Sequence, residues 1–321
     1  MSDKMLAAQY NRHGGPEVIT MAELDRPVAG PGQLLVRLAA AGVSPLDWKL
    51  RAGKLADFFS VPFPKIPGRD GAGTVVAVGS DVRDIAVGTP VAVMAAPAVP
   101  AGTHAEYIAV DAGMAVPLPA ALGLEDAAAL INAGLSAWIA VMRTAQVKSG
   151  DRVLVQSGAG AVGGLMVQLC AHLGATVTAT CRAANMDYVT GLGAARAVAY
   201  DRPQPDDLPP QDVVFDLMGG AVHDACYPLL APGGHLVWLT AAPITDRSAE
   251  HGVRVTRAMI ADDAGVVAQV LDLAAARHLR AQIAGRLPLS EAAEAQRRLA
   301  AGEVTRGRLI LTMQQETALP A

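Results

Sequence analysis

The chain has 321 residues, of which 52% are apolar, 17% charged and 4% aromatic, with a formal net charge of −4. That length allows two modest domains with ample core. The slight acidity gives no electrostatic reason to expect nucleic acid or an anionic membrane as a partner.

In chain order, the opening "MSDKMLAAQYNRHGG" has no continuous apolar run followed by a small-residue cleavage site, so no targeting segment is read and a cytoplasmic protein is expected. Short β-like runs at 33–43, 71–82, 89–97 and 103–110 then alternate with Gly and Pro, predicting a compact, mostly β unit. The most apolar stretch, 127–142, is shorter than a membrane span requires and carries Asn132 and Ser136, so it reads as a buried helix. Beyond about residue 120 the style changes. A strand at 152–156 leads through glycines into a helix at 161–174. A strand at 175–181, a helix at 185–193 and a strand at 195–200 follow. Runs at 212–220, 233–240 and 253–260 supply three more strands, and 201–212 is a proline-rich surface loop. Six strands with helical crossovers predict a doubly wound parallel sheet. A helix at 290–303 and a strand at 308–313 return to the first style. The order predicts a nucleotide domain, 122–261, inserted into a discontinuous domain of 1–121 plus 262–321. Cys170, Cys181 and Cys226 form no C-x-x-C pair, which suits reduced thiols and no structural zinc.

The stretch "VLVQSGAGAVGGL" (153–165) places Gly158, Gly160 and Gly163 as G-x-G-x-x-G directly after an apolar strand and at the start of a helix. Glycines there permit a tight turn and close backbone approach, and the helix N-terminus offers unpaired N–H groups to a pyrophosphate. Ser157, Ala159, Ala161 and Val162 complete that turn. An NAD site places an acid at the end of the second strand, on the ribose 2′-hydroxyl. Here "TATCRAAN" (178–185) has Arg182 at that place and no acid, which suits the 2′-phosphate of NADPH. Tyr200, closing the third strand, is a second candidate for that phosphate. Ser136, Met218, Thr240 and Arg308 complete the expected cofactor-binding set.

The chain resembles the medium-chain dehydrogenase/reductase superfamily, in its zinc-independent quinone oxidoreductase, zeta-crystallin-like branch. The likeness runs through "GGPEVI" (14–19), "AAGVSPLDWKLRAG" (40–53), "IPGRDGAGTVVAVG" (66–79), "GTHAEYIAV" (102–110) and "AAALINAGLSAW" (127–138). It continues in "GAGAVGG" (158–164), "LGAARAVAYD" (192–201), "VFDLMGG" (214–220) and "GRLIL" (307–311). The resemblance implies an α/β protein: a doubly wound parallel Rossmann sheet inserted into a discontinuous, mostly β GroES-like catalytic domain. It also implies a homodimer. At the positions where zinc-bearing members hold their catalytic metal, this chain has Ser44, Arg69 and Asn132. A guanidinium cannot ligate zinc, and Ser and Asn are poor ligands for it, so no metal is expected. Without a Lewis acid the developing charge must be held by the substrate's own conjugation. The expected activity is therefore NADPH-dependent hydride transfer to a quinone or to the C=C bond of an α,β-unsaturated carbonyl compound.

The expected catalytic residues are Ser44, in the place usually held by Asn in "N-P-x-D", and Asn132. Each also reads as an ordinary buried polar group or cap. Asp47, Arg51, Arg69 and Asp70 suggest an ion-pair network beside the cleft. His104 is expected to be a wall residue, and Trp48, Phe58, Phe59 and Met94 are candidates for an apolar substrate pocket. Two other readings stand beside this one. An enoyl-thioester reductase is disfavoured by "RAGKLADFFSVPFP" (51–64), which lacks the tyrosine such enzymes carry. A non-catalytic NADPH-binding redox sensor would hold the cofactor without turnover.

Overall fold

The computed structural model describes residues 3–202, 208–240 and 244–313. Residues 203–207 of the proline-rich loop lie outside that range.

Two strands, β1 (Lys4–Gln9) and β2 (Thr20–Asp25), form an antiparallel pair at the start. The long β3 (Gln33–Gly42) is the spine of the first sheet. It alternates apolar residues inward, with Leu34, Val36 and Leu38 all buried, as a half-buried strand should. The short helix α1 (Pro45–Arg51) follows, and then β4 (Asp70–Val78), β5 (Pro90–Met94), β6 (Tyr107–Asp111) and β7 (Ala115–Pro117). Much later β14 (Ile283–Pro288) and β15 (Arg308–Thr312) join the same sheet, in the order β14-β15-β3-β4-β5-β7, with β6 also pairing β3. The helix α8 (Ala292–Ala300) links those two late strands. Val75, Val91, Val93, Ile108, Leu309 and Leu311 fill this unit's core with the β3 leucines.

The second sheet is built from β8 (Arg152–Val155), β9 (Thr176–Cys181), β10 (Arg196–Ala199), β11 (Gln211–Asp216), β12 (Leu230–Trp238) and β13 (Arg254–Arg257). Its order is β10-β9-β8-β11-β12-β13, and every pairing is parallel. The strand order reverses between β8 and β11, and ligands bind at the carboxyl ends of strands at such a switch point. The intervening helices are α3 (Ala161–His172), α4 (Met186–Gly191), α5 (Ala221–Cys226) and α6 (Ser248–His251), and α7 (Ala264–Ala275) follows β13.

The helix α2 (Leu124–Trp138) joins the two units. With its π-helical continuation Ile139–Ala145 it is long and apolar enough to cross a bilayer, but two-thirds of its most apolar window is buried within the protein. It packs against β3, β4 and β5 on one side and α3 and α7 on the other. A helix apolar on nearly all faces is what such a central position requires. Gly134 allows the approach to α7: a Cβ there would lie 2.5 Å from Val270 Cγ1.

Several elements differ from the sequence expectations. The β1–β2 pair and α7 were not read from the sequence. Instead of a strand over 103–110, only Tyr107–Asp111 is extended as β6, because Thr103 and His104 turn fully inward to bond Asp70 and Gly42 carbonyls. The strand read at 233–240 begins earlier, at Leu230.

Candidate active site and cofactor cradle

The turn between β8 and α3 is held by the neighbouring strand. Thr180, on β9, accepts the Ser157 N–H on its hydroxyl at 3.0 Å and donates to Gln156 Oε1 at 2.6 Å. Its carbonyl accepts the Gly158 N–H at 2.7 Å. Ser157 adopts φ 56°, a left-handed conformation unusual for a residue with a Cβ and stabilised here by these bonds. A Cβ on Gly158 would lie 2.7 Å from Ala179 Cβ, and one on Gly163 only 2.3 Å from Ser157 O. Packing alone therefore demands glycine at both positions. At Gly160 the nearest contact would be Ser157 O at 3.3 Å, so the protein's own packing demands it less. Close approach of a phosphate is the demand that remains. Gly160 is the N-cap of α3, and no side chain among the described residues caps that helix, which leaves its first N–H groups open to an anion. These features fit a dinucleotide pyrophosphate.

A segment from the far end of the chain completes the cradle. Gly307 forms a parallel bridge with Gly160, and its N–H donates to Ala159 O at 2.8 Å. Asn185 Nδ2 holds the same segment through Thr305 O at 2.9 Å. Sequence reasoning missed Thr180 and Gly307. The first carried no motif, and the second lies far from the glycines it meets.

At the carboxyl ends of the strands, Arg182 and Tyr200 are both exposed, and the Arg182 guanidinium has no partner among the described residues. Met218 is also exposed. It follows Asp216, which is fully buried and accepts the N–H groups of Met218 and Gly219 while bonding His223 Nδ1 at 2.9 Å. The Thr240 hydroxyl oxygen is buried without a hydrogen-bond partner among the described residues, which is costly unless a ligand supplies one. Ser136 donates its hydroxyl to Asn132 O at 2.9 Å.

Arg308 does not reach toward the cradle, as the sequence expectation had it. It is 4% exposed, and its two Nη atoms clamp the Asp70 carboxylate at 2.6 Å each. Asp70 also accepts the backbone N–H of Asn132 at 2.9 Å. Planar guanidinium and carboxylate match bidentately, so β15, β4 and α2 are locked together behind the cleft. The four-residue charge network does not form either. Arg51, 2% exposed, donates to Gln296 Oε1 and Gly14 O. Arg69 donates to Ala95 O at 3.2 Å and pairs with Asp262, in the segment that leaves β13. Asp47 accepts three donors from its surroundings: Ser44 N, Ser44 Oγ and Gly68 N. Each charge has found a separate partner.

Ser44 is thereby the N-cap of α1, in a capping box with Asp47, and its hydroxyl proton is committed to that carboxylate at 2.9 Å. The Asn132 side-chain amide makes no hydrogen bond among the described residues and is partly exposed. Of the two expected catalytic residues, it is the one with a free donor. His104 is wholly buried, donates to Gly42 O at 3.2 Å, and has its pKa lowered mainly by desolvation. It is packed inside the protein, bonded to backbone. Met94 is buried and Trp48 half-buried beneath Lys49 and Lys54. Phe59 is half-buried and Phe58 exposed. Among the described residues no group of three or more His, Cys, Asp and Glu is placed to hold a metal ion.

Residues 30–120 match the family described as the alcohol dehydrogenase GroES-like domain, and residues 192–311 the family described as zinc-binding dehydrogenase. The quinone-oxidoreductase homolog of Spinacia oleracea chloroplasts is 35% identical over 251 residues, covering 74% of this chain and 76% of that protein. The NADPH-dependent alkenal/one oxidoreductase of Arabidopsis thaliana chloroplasts is 36% identical over 248 residues, covering 74% of this chain and 63% of that protein. Among solved structures, the quinone oxidoreductase from Coxiella burnetii superposes with a TM-score of 0.87 at 30% identity, covering 97% of this chain and all of that one.

Proposed function

The chain belongs to the medium-chain dehydrogenase/reductase superfamily and is an oxidoreductase, and from that premise we propose an NADPH-dependent, zinc-independent reductase acting on quinones or on the C=C bond of α,β-unsaturated carbonyl compounds. The observation that carries the reading is Arg69. The family resemblance puts it at a position where zinc-bearing members hold a metal ligand, and its guanidinium is committed to Asp262 and Ala95 O. With a cation at that position the substrate must bring its own electron sink, which quinones and enones do. The names of the relatives, quinone oxidoreductase and alkenal/one oxidoreductase, support the same acceptors.

NADPH, when bound, supplies a hydride from its nicotinamide. The uncapped start of α3 binds the pyrophosphate, and Arg182 orients the adenosine end through the 2′-phosphate. Asn132 donates its free amide N–H to the substrate oxygen on which negative charge collects. Ser44 has its only proton engaged by Asp47 and so acts through its place at the head of α1, holding the wall of the site. Solvent supplies the final proton. The three unpaired, buried thiols Cys170, Cys181 and Cys226 suit a reducing compartment, and we place the protein in the cytoplasm. The exposed edge of β13 is the surface on which we place a homodimer.

The test is NADPH oxidation by the purified protein against a benzoquinone, a naphthoquinone, simple and long-chain enones and an enoyl-CoA, with metal content measured on the same sample. Turnover of quinones or enones by metal-free protein is expected. Stoichiometric zinc, or NADPH binding with no acceptor reduced, would overturn the proposal. Replacing Asn132 with Leu is expected to lower kcat by about 10²-fold, the scale of one lost oxyanion donor.

A further inference from the structure

The second strand of this sheet ends without an acid, but the third strand supplies one. In the parallel pairing of β9 and β10, Cys181 stands opposite Ala199, and Tyr200 N donates to Cys181 O at 3.0 Å. One step further along, Arg182 and Tyr200 emerge into solvent. At the next step Asp201 Oδ1 accepts the Ala183 N–H at 2.8 Å. The carboxylate is therefore tied to the residue that follows Arg182, at the strand end where the adenosine ribose is read. Asp201 is exposed, and its second oxygen has no hydrogen bond among the described residues. No ion pair joins it to Arg182. A ribose bound at this strand end would meet a guanidinium without a partner among the described residues and a half-free carboxylate.

We infer that Asp201 is a second determinant of cofactor choice, accepting the 2′-hydroxyl of NADH and opposing the 2′-phosphate of NADPH, so that the protein takes both cofactors. The inference rests on the reading that the cradle holds a nicotinamide dinucleotide whose 2′-position lies at this strand end. The two residues act in opposite directions. A phosphate monoester carries about −1.5 to −2 charge at neutral pH, so a carboxylate beside it is repelled, while a ribose hydroxyl can donate to that same carboxylate. Both side chains are exposed and screened, so the effect is a modest one, about three- to tenfold in affinity.

Capping of the 3-10 turn Ala183–Asn185 is the other work Asp201 does, and two variants separate the roles. Asp201→Asn keeps a carbonyl oxygen for the Ala183 N–H and removes only the charge. Asp201→Ala removes both. Dissociation constants for NADPH and NADH are measured on the full chain by nicotinamide fluorescence, without any acceptor present. Asp201→Asn is expected to tighten NADPH about three- to tenfold and to weaken NADH or leave it unchanged. If Asp201→Asn leaves both constants unaltered while Asp201→Ala weakens both equally, the residue is a turn cap and the inference fails. Arg182→Ala, measured alongside, isolates the underlying reading. Loss of NADPH preference there with a silent Asp201→Asn keeps the Arg182 assignment and overturns the Asp201 one. A silent Arg182→Ala with a shifted Asp201→Asn does the reverse.

Discussion

At the scale of single residues, the buried charges explain more of the molecule than the exposed ones do. Lys65 is 3% exposed, and its ammonium group donates to Val99 O at 2.5 Å and Ile66 O at 3.3 Å, with no carboxylate bonded to it among the described residues. It lines a small cavity with Tyr10, Asp47 and Arg69, and the Tyr10 hydroxyl there has no partner among the described residues. Burial lowers the Lys65 pKa from 10.5 to about 8. Between those values the unfolded chain binds more protons than the folded one, so stability rises with pH from about 8 to about 10.5 and carries the full charge penalty below. A shift of that size is worth roughly 3 kcal/mol. The Tm of the protein is expected to climb through that alkaline window more steeply than that of Lys65→Met, and equal slopes would refute the assignment. Asp70 and Arg308 make the opposite case, a buried charge fully matched. Replacing Arg308 with Met strands the Asp70 carboxylate and is expected to destabilise by about 3–5 kcal/mol in denaturant titration. The double replacement with Asp70→Leu is expected to recover part of that loss. The sequence could not reveal this pairing, because the two partners lie 238 positions apart. Arg182 was legible, since its location follows from counting along one strand.

At the scale of elements, the glycine turn shows how one motif carries two kinds of demand. Gly163→Ala drives a Cβ against the Ser157 carbonyl, and such overpacking against backbone costs about 1–3 kcal/mol. Gly160→Ala meets only a mildly tight contact and is expected to fold with a Tm near that of the parent while binding NADPH weakly. Thermal unfolding and NADPH titration on the two variants check this. Equal losses of both properties would show that the turn is structural throughout. The turn and the strands of the second sheet were readable because apolar runs and glycines are local signals. The helix α7 was missed although Asp263 caps it by accepting the Val266 N–H at 3.0 Å. Its inward residues Val266, Val267, Val270 and Leu271 are mostly β-branched and read locally as strand. The β1–β2 pair was missed for another reason: alanines in "KMLAAQ" blur the alternation that marks a strand.

At the scale of the whole molecule, two sheets meet along α2 and are tied at their rims by side chains of opposite charge. The Arg69–Asp262 pair joins the start of β4 to the segment that leaves β13. In the second sheet β10 and β13 are the edge strands, and β13 is largely exposed along its length. An exposed edge offers unpaired backbone groups to another strand. Light scattering of the purified protein is expected to give twice 33.0 kDa, and a monomer at micromolar concentration would remove the dimer proposed on that edge. The two-unit architecture and the interrupted first unit were legible from the change in strand spacing near residue 120. How the units are tied was not, because every tie joins residues distant in the chain.

One of those ties bears on how the protein is made. The strand that finishes the phosphate cradle is entered at Gly307, while the motif it meets is at Gly160. During synthesis the second sheet can form as soon as β13 has emerged, since domains fold as units from the N-terminal side. The cradle remains open at that stage, because the segment that donates to Ala159 O has not yet been translated. Closure of the cradle therefore waits for residue 307, well after β13 has been made. A dinucleotide bound in this cradle would stabilise only a chain in which Gly307 has already reached Gly160.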